Sequence, residues 1–325
     1  MVTRRTLISL GVVAGAAAAG GVATASAYGT ALHKARAAID PSLSTLIDTR
    51  FGRMEYADRG EGTPLLMVHG TGGGFDQGLL FAGPLLDKGY RIISPSRFGY
   101  LRSAFPPEPS SANQADAFAD LLDHLGIDTI AISGGSAGAL SALEFAIRHP
   151  DRCAAVLPIV PATYAPDKDA TTSDNAPPGI EAAMTLLRSD FLLWVALSAA
   201  PDMLTGTLLA TDPALLATAS SAEIARAHEI LWSILPVSDR ADGLINDARL
   251  AGHPQPAAIQ TITAPLLTIS LEDDRFGTAR AARHIAATVP GARLVIFPTG
   301  GHIWLGHNQE LFDHVDSFLQ EIGYA

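Results

Sequence analysis

The sequence has little cysteine, little positive charge and few charged residues of either sign. Cys153 is the single cysteine among 325 residues, which excludes an intrachain disulfide and a cysteine-rich metal site. Charged residues make up 17% of the chain, with 22 Lys and Arg against 33 Asp and Glu, for a formal net charge of -11. Because nucleic acids attract clustered Lys and Arg, and no such cluster is visible, the sequence predicts no nucleic-acid partner.

Apolar residues are plentiful by comparison. They account for 48% of the chain, a share that excludes intrinsic disorder and collagen-like structure. The length allows one large domain or two small ones, each with a sizeable core.

The first 27 residues have the pattern of an export signal. Arg4 and Arg5 precede an almost uncharged run, residues 6–27, that ends in the small-x-small pattern Ala25-Ser26-Ala27. The paired arginines resemble a twin-arginine export signal. We expect an exported protein, periplasmic or extracellular, with the run either cleaved or kept as a membrane tether. Residues 28–45 would then form a tether to the folded part.

Short apolar runs alternate with helical stretches in residues 46–161 and again in residues 263–325. This alternation predicts an α/β fold with a mostly parallel sheet and helices on both faces. Residues 51–57 alternate with period two, which favours an early antiparallel hairpin. The clearest buried strands are predicted at residues 65–69, 91–95, 129–133, 154–160, 265–271 and 293–297.

Residues 162–262 interrupt this alternation. The segment is too long for a plain loop and reads as mostly helical, so it predicts an inserted α-helical lid. Helices are expected near residues 180–200, 213–219 and 222–235. Phe191, Trp194 and Trp232 could line a substrate pocket in this lid, or they could be ordinary lid core.

Ser136 is the candidate nucleophile. It stands in Gly134-Gly135-Ser136-Ala137-Gly138, between a β-branched strand and an Ala/Leu-rich helix. A serine on such a sharp strand-to-helix turn projects its hydroxyl above the sheet, and small residues two positions on either side give it room. The competing interpretation is a glycine-rich turn with a capping serine.

A glycine-rich loop, His69-Gly70-Thr71-Gly72-Gly73-Gly74, follows an earlier apolar strand. Such a loop lets backbone N–H groups approach a developing oxyanion, and we predict the amides of Thr71 and Ala137 as its two donors. A phosphate cradle is the alternative, but the spacing does not fit and no Lys-Ser or Lys-Thr follows. His69 is expected to brace the loop.

Candidates for the acid and the base follow the last two strands. Glu272, Asp273 and Asp274 come after one strand, and a carboxylate there can accept the Nδ1–H of a histidine. Asp274 is the first choice, with Asp273 and Asp167 as alternatives.

His302 follows the final strand on a Gly-Gly loop, from which it could swing over the serine. His302 and His307 are a candidate metal pair by their spacing, but no third ligand or H-E-x-x-H motif accompanies them. The sequence therefore predicts neither a metal nor a cofactor.

The order of these motifs resembles the α/β-hydrolase family, from about Phe51 to the end of the chain. The segment GYRIISPSRFGYLRS is also similar to that family's, where many members have Asp in place of Ser96. The resemblance implies a sheet of about eight strands, with Ser136, His302 and Asp274 as nucleophile, base and acid.

The same resemblance implies a serine hydrolase that cleaves a small carboxylic ester or lactone through an acyl-enzyme. Carbon–carbon bond hydrolysis, amide or iminopeptidase cleavage, and perhydrolysis are alternatives on the same triad. A non-catalytic binding protein with this pocket is a further one.

Overall fold

A computed structural model describes residues 24–166 and 188–325 of the chain. Its core is a single sheet, whose strands are β1 (Thr45–Thr49), β2 (Gly52–Arg59), β3 (Pro64–Val68), β4 (Arg91–Pro95), β5 (Ile130–Gly135), β6 (Cys153–Ile159), β7 (Leu267–Leu271) and β8 (Arg293–Phe297). The eight strands lie in the order β1-β2-β4-β3-β5-β6-β7-β8.

The sheet is antiparallel at one edge and parallel elsewhere. β1 and β2 form a hairpin, and β2 pairs antiparallel with β4. All pairs from β4 to β8 are parallel. The predicted mostly parallel sheet of about eight strands, with its early hairpin, is confirmed. All of β5 is buried, as expected for a continuous apolar strand with both faces covered.

Helices cover both faces of the sheet. The described helices are α1 (24–38), α2 (Phe75–Phe81), α3 (Gly83–Asp87), α4 (Ser111–Leu125), α5 (Gly138–Arg148), α6 (Asp190–Ala199), α7 (Pro201–Thr207), α8 (Ser221–Trp232), α9 (Ala241–Leu250), α10 (Thr278–Thr288) and α11 (Asn308–Glu321). Phe118 of α4, Phe145 of α5 and Ile285 of α10 pack in one core cluster. Leu85 of α3 and Phe312 of α11 pack in a second cluster.

The helices α6 to α9 lie between β6 and β7, where the sequence predicts an insertion. Their apolar side chains form a separate cluster that includes Leu193, Leu197, Ile230 and Leu244. Helix α6 falls within a predicted helical stretch and α8 overlaps another, whereas α7 and α9 lie outside the predicted stretches. Residues 167–187, with the alternative acid Asp167, lie outside the described residues.

Helix α1 leads from the amino-terminal run onto this insertion. Tyr28 contacts Phe191 and Trp194 of α6, with ring centroids 5.3 Å and 5.5 Å apart. Ala35 packs against the same apolar cluster. Among the described residues, none of the helices has the length and hydropathy needed to span a bilayer. Residues 1–23 lie outside the described part.

Candidate active site

Ser136 sits at the turn from β5 to α5 in a backbone conformation that L-residues rarely adopt. Its φ is 51°, and its N–H donates to the Ile159 carbonyl at 2.9 Å. A Cβ on Gly138 would lie 2.5 Å from the His69 carbonyl oxygen. The turn is thus closed tightly against two neighbouring strands, and this packing requires the glycine in the sequence motif.

The loop after β3 lies directly against this serine. A Cβ added to Gly70 would lie 3.2 Å from Ser136 Cβ, a tighter contact than most Cβ atoms make, so the glycine lets the loop backbone approach the Ser136 turn closely. The N–H of Gly70 donates to Gln77 Oε1 at 3.1 Å, and that of Gly72 to the Tyr100 hydroxyl at 3.2 Å.

The two predicted oxyanion donors flank the serine in different elements. Thr71 stands between two loop amides that are already engaged, and Ala137 follows Ser136 at the amino-terminal cap of α5. Within the described ranges, neither the Thr71 nor the Ala137 N–H donates to another group of the chain. Unpaired amides at a helix start and a glycine loop can receive a developing negative charge.

His302 and Asp274 form a buried hydrogen-bonded pair. His302 Nδ1 lies 2.8 Å from Asp274 Oδ2, and the carboxylate is fully shielded from solvent. Burial opposes ionisation of this carboxyl, but His302, the Thr278 hydroxyl and the Phe276 N–H outweigh it, so the pKa of Asp274 lies below its usual value. Asp274 therefore stays ionised and fixes the ring with Nδ1 as donor.

Asp273, the alternative acid, has a different partner. Its carboxylate accepts the N–H groups of Gly300 and Gly301 at 3.0 Å and 2.8 Å. It thus holds the backbone of the loop that carries His302 and does not bond to the imidazole ring.

The register of the sheet brings these loops together. Parallel pairing places Gly135 of β5 beside Ile159 of β6, and Ile159 beside Ile269 of β7. The loops that carry Ser136, Asp274 and His302 therefore leave the same carboxyl edge, where open α/β sheets bind ligands.

A cavity of about 520 Å³ opens at this edge, and Ser136 and His302 both line it. The described chain has no hydrogen bond between their side chains. Such contacts are often long in ligand-free enzymes and tighten with substrate.

The cavity wall is mostly apolar and comes from the inserted helices and from the core together. Its larger apolar side chains are Phe81, Leu208, Leu209, Ile230, Ile234, Leu244, Phe276 and Trp304. The predicted substrate-binding residues Phe191, Trp194 and Trp232 are not in the described lining. Phe191 and Trp194 contact Tyr28 instead, and Trp232 packs partly buried against the lid cluster.

Strained backbone is concentrated around this cavity. Ser136, Val160 and Trp304 have φ values of 51°, 42° and 46°, and all three line it. A left-handed conformation is costly for a β-branched residue such as Val160, and persists only where the surrounding structure fixes it.

A buried charged cluster that the sequence did not indicate joins the glycine-rich loop after β3 to the inserted helix α9. Arg97 donates to both carboxylate oxygens of Asp247 on α9, at 2.7 Å and 2.6 Å. The same guanidinium donates to the carbonyls of His69 and Gly70, both at 3.0 Å. Tyr100 donates its hydroxyl to Asp247 at 2.5 Å while accepting the Gly72 N–H.

His69 is a structural brace in this cluster. Its Nε2 accepts the Arg97 N–H at 2.9 Å, and its Nδ1 donates to the Gly70 carbonyl at 2.7 Å. Burial and the nearby Arg97 charge hold the pKa of His69 well below its usual range, so the ring is neutral. This agrees with the structural role expected from the sequence.

The described residues contain no group of three or more His, Cys, Asp and Glu side chains placed to hold a metal ion. His307 lies beside Glu310, with its Nδ1 3.0 Å from the carboxylate, and its ring stacks on Phe297.

The sheet order and the loops at its carboxyl edge have the arrangement of an α/β hydrolase. Residues 63–306, most of the chain, match the family model for the alpha/beta hydrolase fold, and the chain belongs to this family.

The individual relatives either have a low sequence identity to this chain or match only a part of it. A 2-hydroxy-6-oxo-6-phenylhexa-2,4-dienoate hydrolase from Burkholderia cepacia is 26% identical over 272 residues, which is 82% of this chain and 88% of the relative. The uncharacterized hydrolase YcgS from Bacillus subtilis is 38% identical over 101 residues, but the match spans only 35% of its length. An alpha/beta hydrolase fold protein from Nakamurella multipartita superposes with a TM-score of 0.66 at 24% identity, over 86% of this chain and 99% of that one.

Proposed function

We propose that this chain is a serine hydrolase that cleaves carboxylic esters or lactones through an acyl-enzyme, without metal or cofactor. The observation that carries the proposal is the His302–Asp274 hydrogen bond of 2.8 Å on the wall of the cavity that also holds Ser136. An imidazole oriented from Nδ1 by a buried carboxylate leaves Nε2 to act as the base.

In the first half of the reaction, Ser136 Oγ attacks the carbonyl carbon of the substrate and its proton passes to His302 Nε2. Asp274 stabilises the resulting imidazolium. The Thr71 and Ala137 amides receive the negative charge on the former carbonyl oxygen, an interaction of about 3 kcal/mol per donor in comparable sites. Collapse of this intermediate expels the alcohol oxygen, which takes the proton from His302.

In the second half, water replaces the alcohol. His302 removes a proton from the water, whose oxygen attacks the acyl carbon, and the acid is released as Ser136 regains its proton. The apolar cavity wall excludes bulk water from the rest of the acyl group and favours substrates with an apolar acyl or alcohol portion.

Hydrolysis of short-chain p-nitrophenyl esters and of simple lactones by the wild type and Ser136→Ala tests this proposal. We expect turnover by the wild type and a loss of about 10⁴- to 10⁶-fold in kcat for the variant. Ser141→Ala is the matched control, because Ser141 lies on α5 with its hydroxyl bonded to the Gly138 carbonyl. Equal rates for wild type and Ser136→Ala would refute the assignment.

Carbon–carbon bond hydrolysis is the second candidate. It is favoured by the Burkholderia cepacia relative, which is a dienoate hydrolase by name and whose match covers most of both chains. The same serine, histidine and oxyanion amides could serve that reaction.

Loss of the absorbance of 2-hydroxy-6-oxo-6-phenylhexa-2,4-dienoate would distinguish the two reactions. A kcat/KM for the dienoate well above that for any ester or lactone would replace our first proposal by the second. Inactivity toward both, and toward amides and in perhydrolysis, would favour a binding protein.

We also propose that the protein is exported, on the basis of residues 4–27 alone. Cleavage would give a mature chain that begins near Tyr28, and retention would leave a membrane-anchored protein. The intact mass of protein recovered from the cell envelope distinguishes the two forms.

A further inference from the structure

The outer side of α6 exposes a group of large apolar side chains beside the amino-terminal helix. Phe191, Leu192 and Val195 are 44%, 42% and 39% exposed, and Met203 on the adjoining α7 is 57% exposed. We call these four residues the lid face. At 3.6 residues per turn, Phe191, Leu192 and Val195 lie within about 100° of one another around α6 and so form one patch, and Met203 follows on the next helix. Such patches mark contact sites.

The packing of α6 accounts for the apolar residues on its inner side only. Leu193 and Leu197 are buried in the lid cluster. A helix that needs only one apolar side for packing ordinarily places polar residues on the other side. The lid face therefore has no explanation in the packing of the lid itself.

The path of the chain indicates what covers this face. Tyr28 packs against Phe191, and it directly follows the nearly uncharged run of residues 6–27. Helix α1 passes without a break through Ala25, Ser26 and Ala27, and the Thr30 hydroxyl bonds to the Ser26 carbonyl. If that run enters a bilayer, α1 delivers it beside the lid face.

The charged side chains near α6 also favour a lipid bilayer as the partner of the lid face. Lys34 and Arg36 are exposed on α1, and Arg188 is exposed just before α6. The exposed acid Asp202 lies next to Met203. Exposed basic side chains on the helix that packs against α6, and just before α6 itself, suit an anionic lipid surface, and they stand out in a chain with a net charge of -11.

We propose that residues 6–27 are retained as a membrane anchor and that the lid face lies against the anionic phospholipid bilayer that holds it. The helix layer of the lid then separates the bilayer from the cavity wall, since Leu197 belongs to the same apolar cluster as the cavity residues Leu209 and Ile230. The proposal does not depend on which bond the enzyme cleaves.

An environment-sensitive fluorophore on the full-length chain tests this contact. Leu192→Cys is labelled with a nitrobenzoxadiazole maleimide and mixed with vesicles of equimolar phosphatidylglycerol and phosphatidylcholine. Cys153 should not compete for the label, because it is buried and burial raises the pKa of its thiol to about 12. Leu294→Cys on β8 is the matched control, since Leu294 is 38% exposed on the edge strand.

We expect vesicles to shift the emission of the Leu192→Cys label to the blue and to leave that of Leu294→Cys unchanged. Val195→Cys provides a second position if Leu192→Cys does not fold. Co-sedimentation of the protein with vesicles without a shift at either lid position would overturn the proposal.

A failure of the full-length chain to bind vesicles would overturn it as well. So would emission that is already blue-shifted before vesicles are added, because the face would then be covered by the chain itself or by a second copy.

Discussion

Asp273 and Asp274 are neighbours in the chain, yet one holds the backbone of the histidine loop and the other holds the histidine ring. Asp273 accepts the amides of Gly300 and Gly301, and Asp274 accepts His302 Nδ1–H. Two adjacent carboxylates at the end of one strand thus hold the same histidine. Asp273 fixes the backbone of its loop, and Asp274 fixes its ring.

This division predicts different losses for two matched substitutions. Asp274→Asn should lower kcat/KM for the best ester by about 10³- to 10⁴-fold, because the ring loses its productive tautomer and the imidazolium its stabiliser. Asp273→Asn should lower the same kcat/KM by only about tenfold, which corresponds to one weakened hydrogen bond to a charged group. Steady-state kinetics of the two purified variants measures this, and the reverse order would move the acid role to Asp273.

The lowered pKa of Asp274 also predicts a pH dependence of stability. A folded-state pKa below the usual value near 3.8 stabilises the native state above that pH, and the stabilisation is lost as the pH falls through the lowered pKa. The difference in free energy of unfolding between the wild type and Asp274→Asn should therefore be constant near neutrality and change in the acid range. Urea unfolding at a series of pH values measures it. A difference that changes mainly between neutral and alkaline pH would contradict the pairing.

The Arg97–Asp247 pair predicts a large loss of stability. Asp247→Ala would leave a buried guanidinium without its carboxylate, at a cost of about 3–5 kcal/mol in the free energy of unfolding. Arg293 and Glu321 form a matched pair on the surface, with side chains 50% and 56% exposed, and Glu321→Gln should cost less than about 1 kcal/mol. Chemical denaturation of the two variants provides the comparison. Similar losses would mean that the buried cluster does not clamp the lid to the oxyanion loop.

The tight turn that carries Ser136 leaves no room for a side chain at Gly138. A Cβ there would lie 2.5 Å from the His69 carbonyl oxygen and 2.6 Å from that of Val68, so Gly138→Ala should cost about 1–3 kcal/mol of stability and displace Ser136. Gly83→Ala is the control, because a Cβ at Gly83 meets nothing within 4 Å. Thermal unfolding and ester turnover of both proteins test this. A stable, fully active Gly138→Ala would show that the turn is looser than described.

Much of the fold and the position of the candidate site follow from local sequence patterns. Continuous apolar runs are sufficient to identify buried strands, and the loops after those strands must meet at one edge of a parallel sheet. Ser136, Asp274 and His302 could therefore be expected at the same edge, because each comes just after a strand.

The cavity wall could not be predicted in the same way. Phe191 and Ile230 are both large apolar residues of lid helices, and the sequence does not say which side of a helix turns to the cavity. The structure places Ile230 in the wall and leaves Phe191 exposed beside Tyr28.

The sequence does not predict helix α9 because its buried side is only partly apolar. Asn246 and Asp247 are buried there beside Leu244, so few apolar residues mark that side. The partner that makes this burial possible, Arg97, is 150 residues away in sequence, and no local pattern links the two.

Covalent labelling with a fluorophosphonate tests the central claim most directly, because this reagent captures a serine that a neighbouring base has activated. Mass spectrometry of the digested wild type should place a single stoichiometric adduct on the peptide that contains Ser136. Ser136→Ala should remain unlabelled, and His302→Ala should label far more slowly. Stoichiometric labelling of another serine, or equal labelling of wild type and Ser136→Ala, would contradict the account.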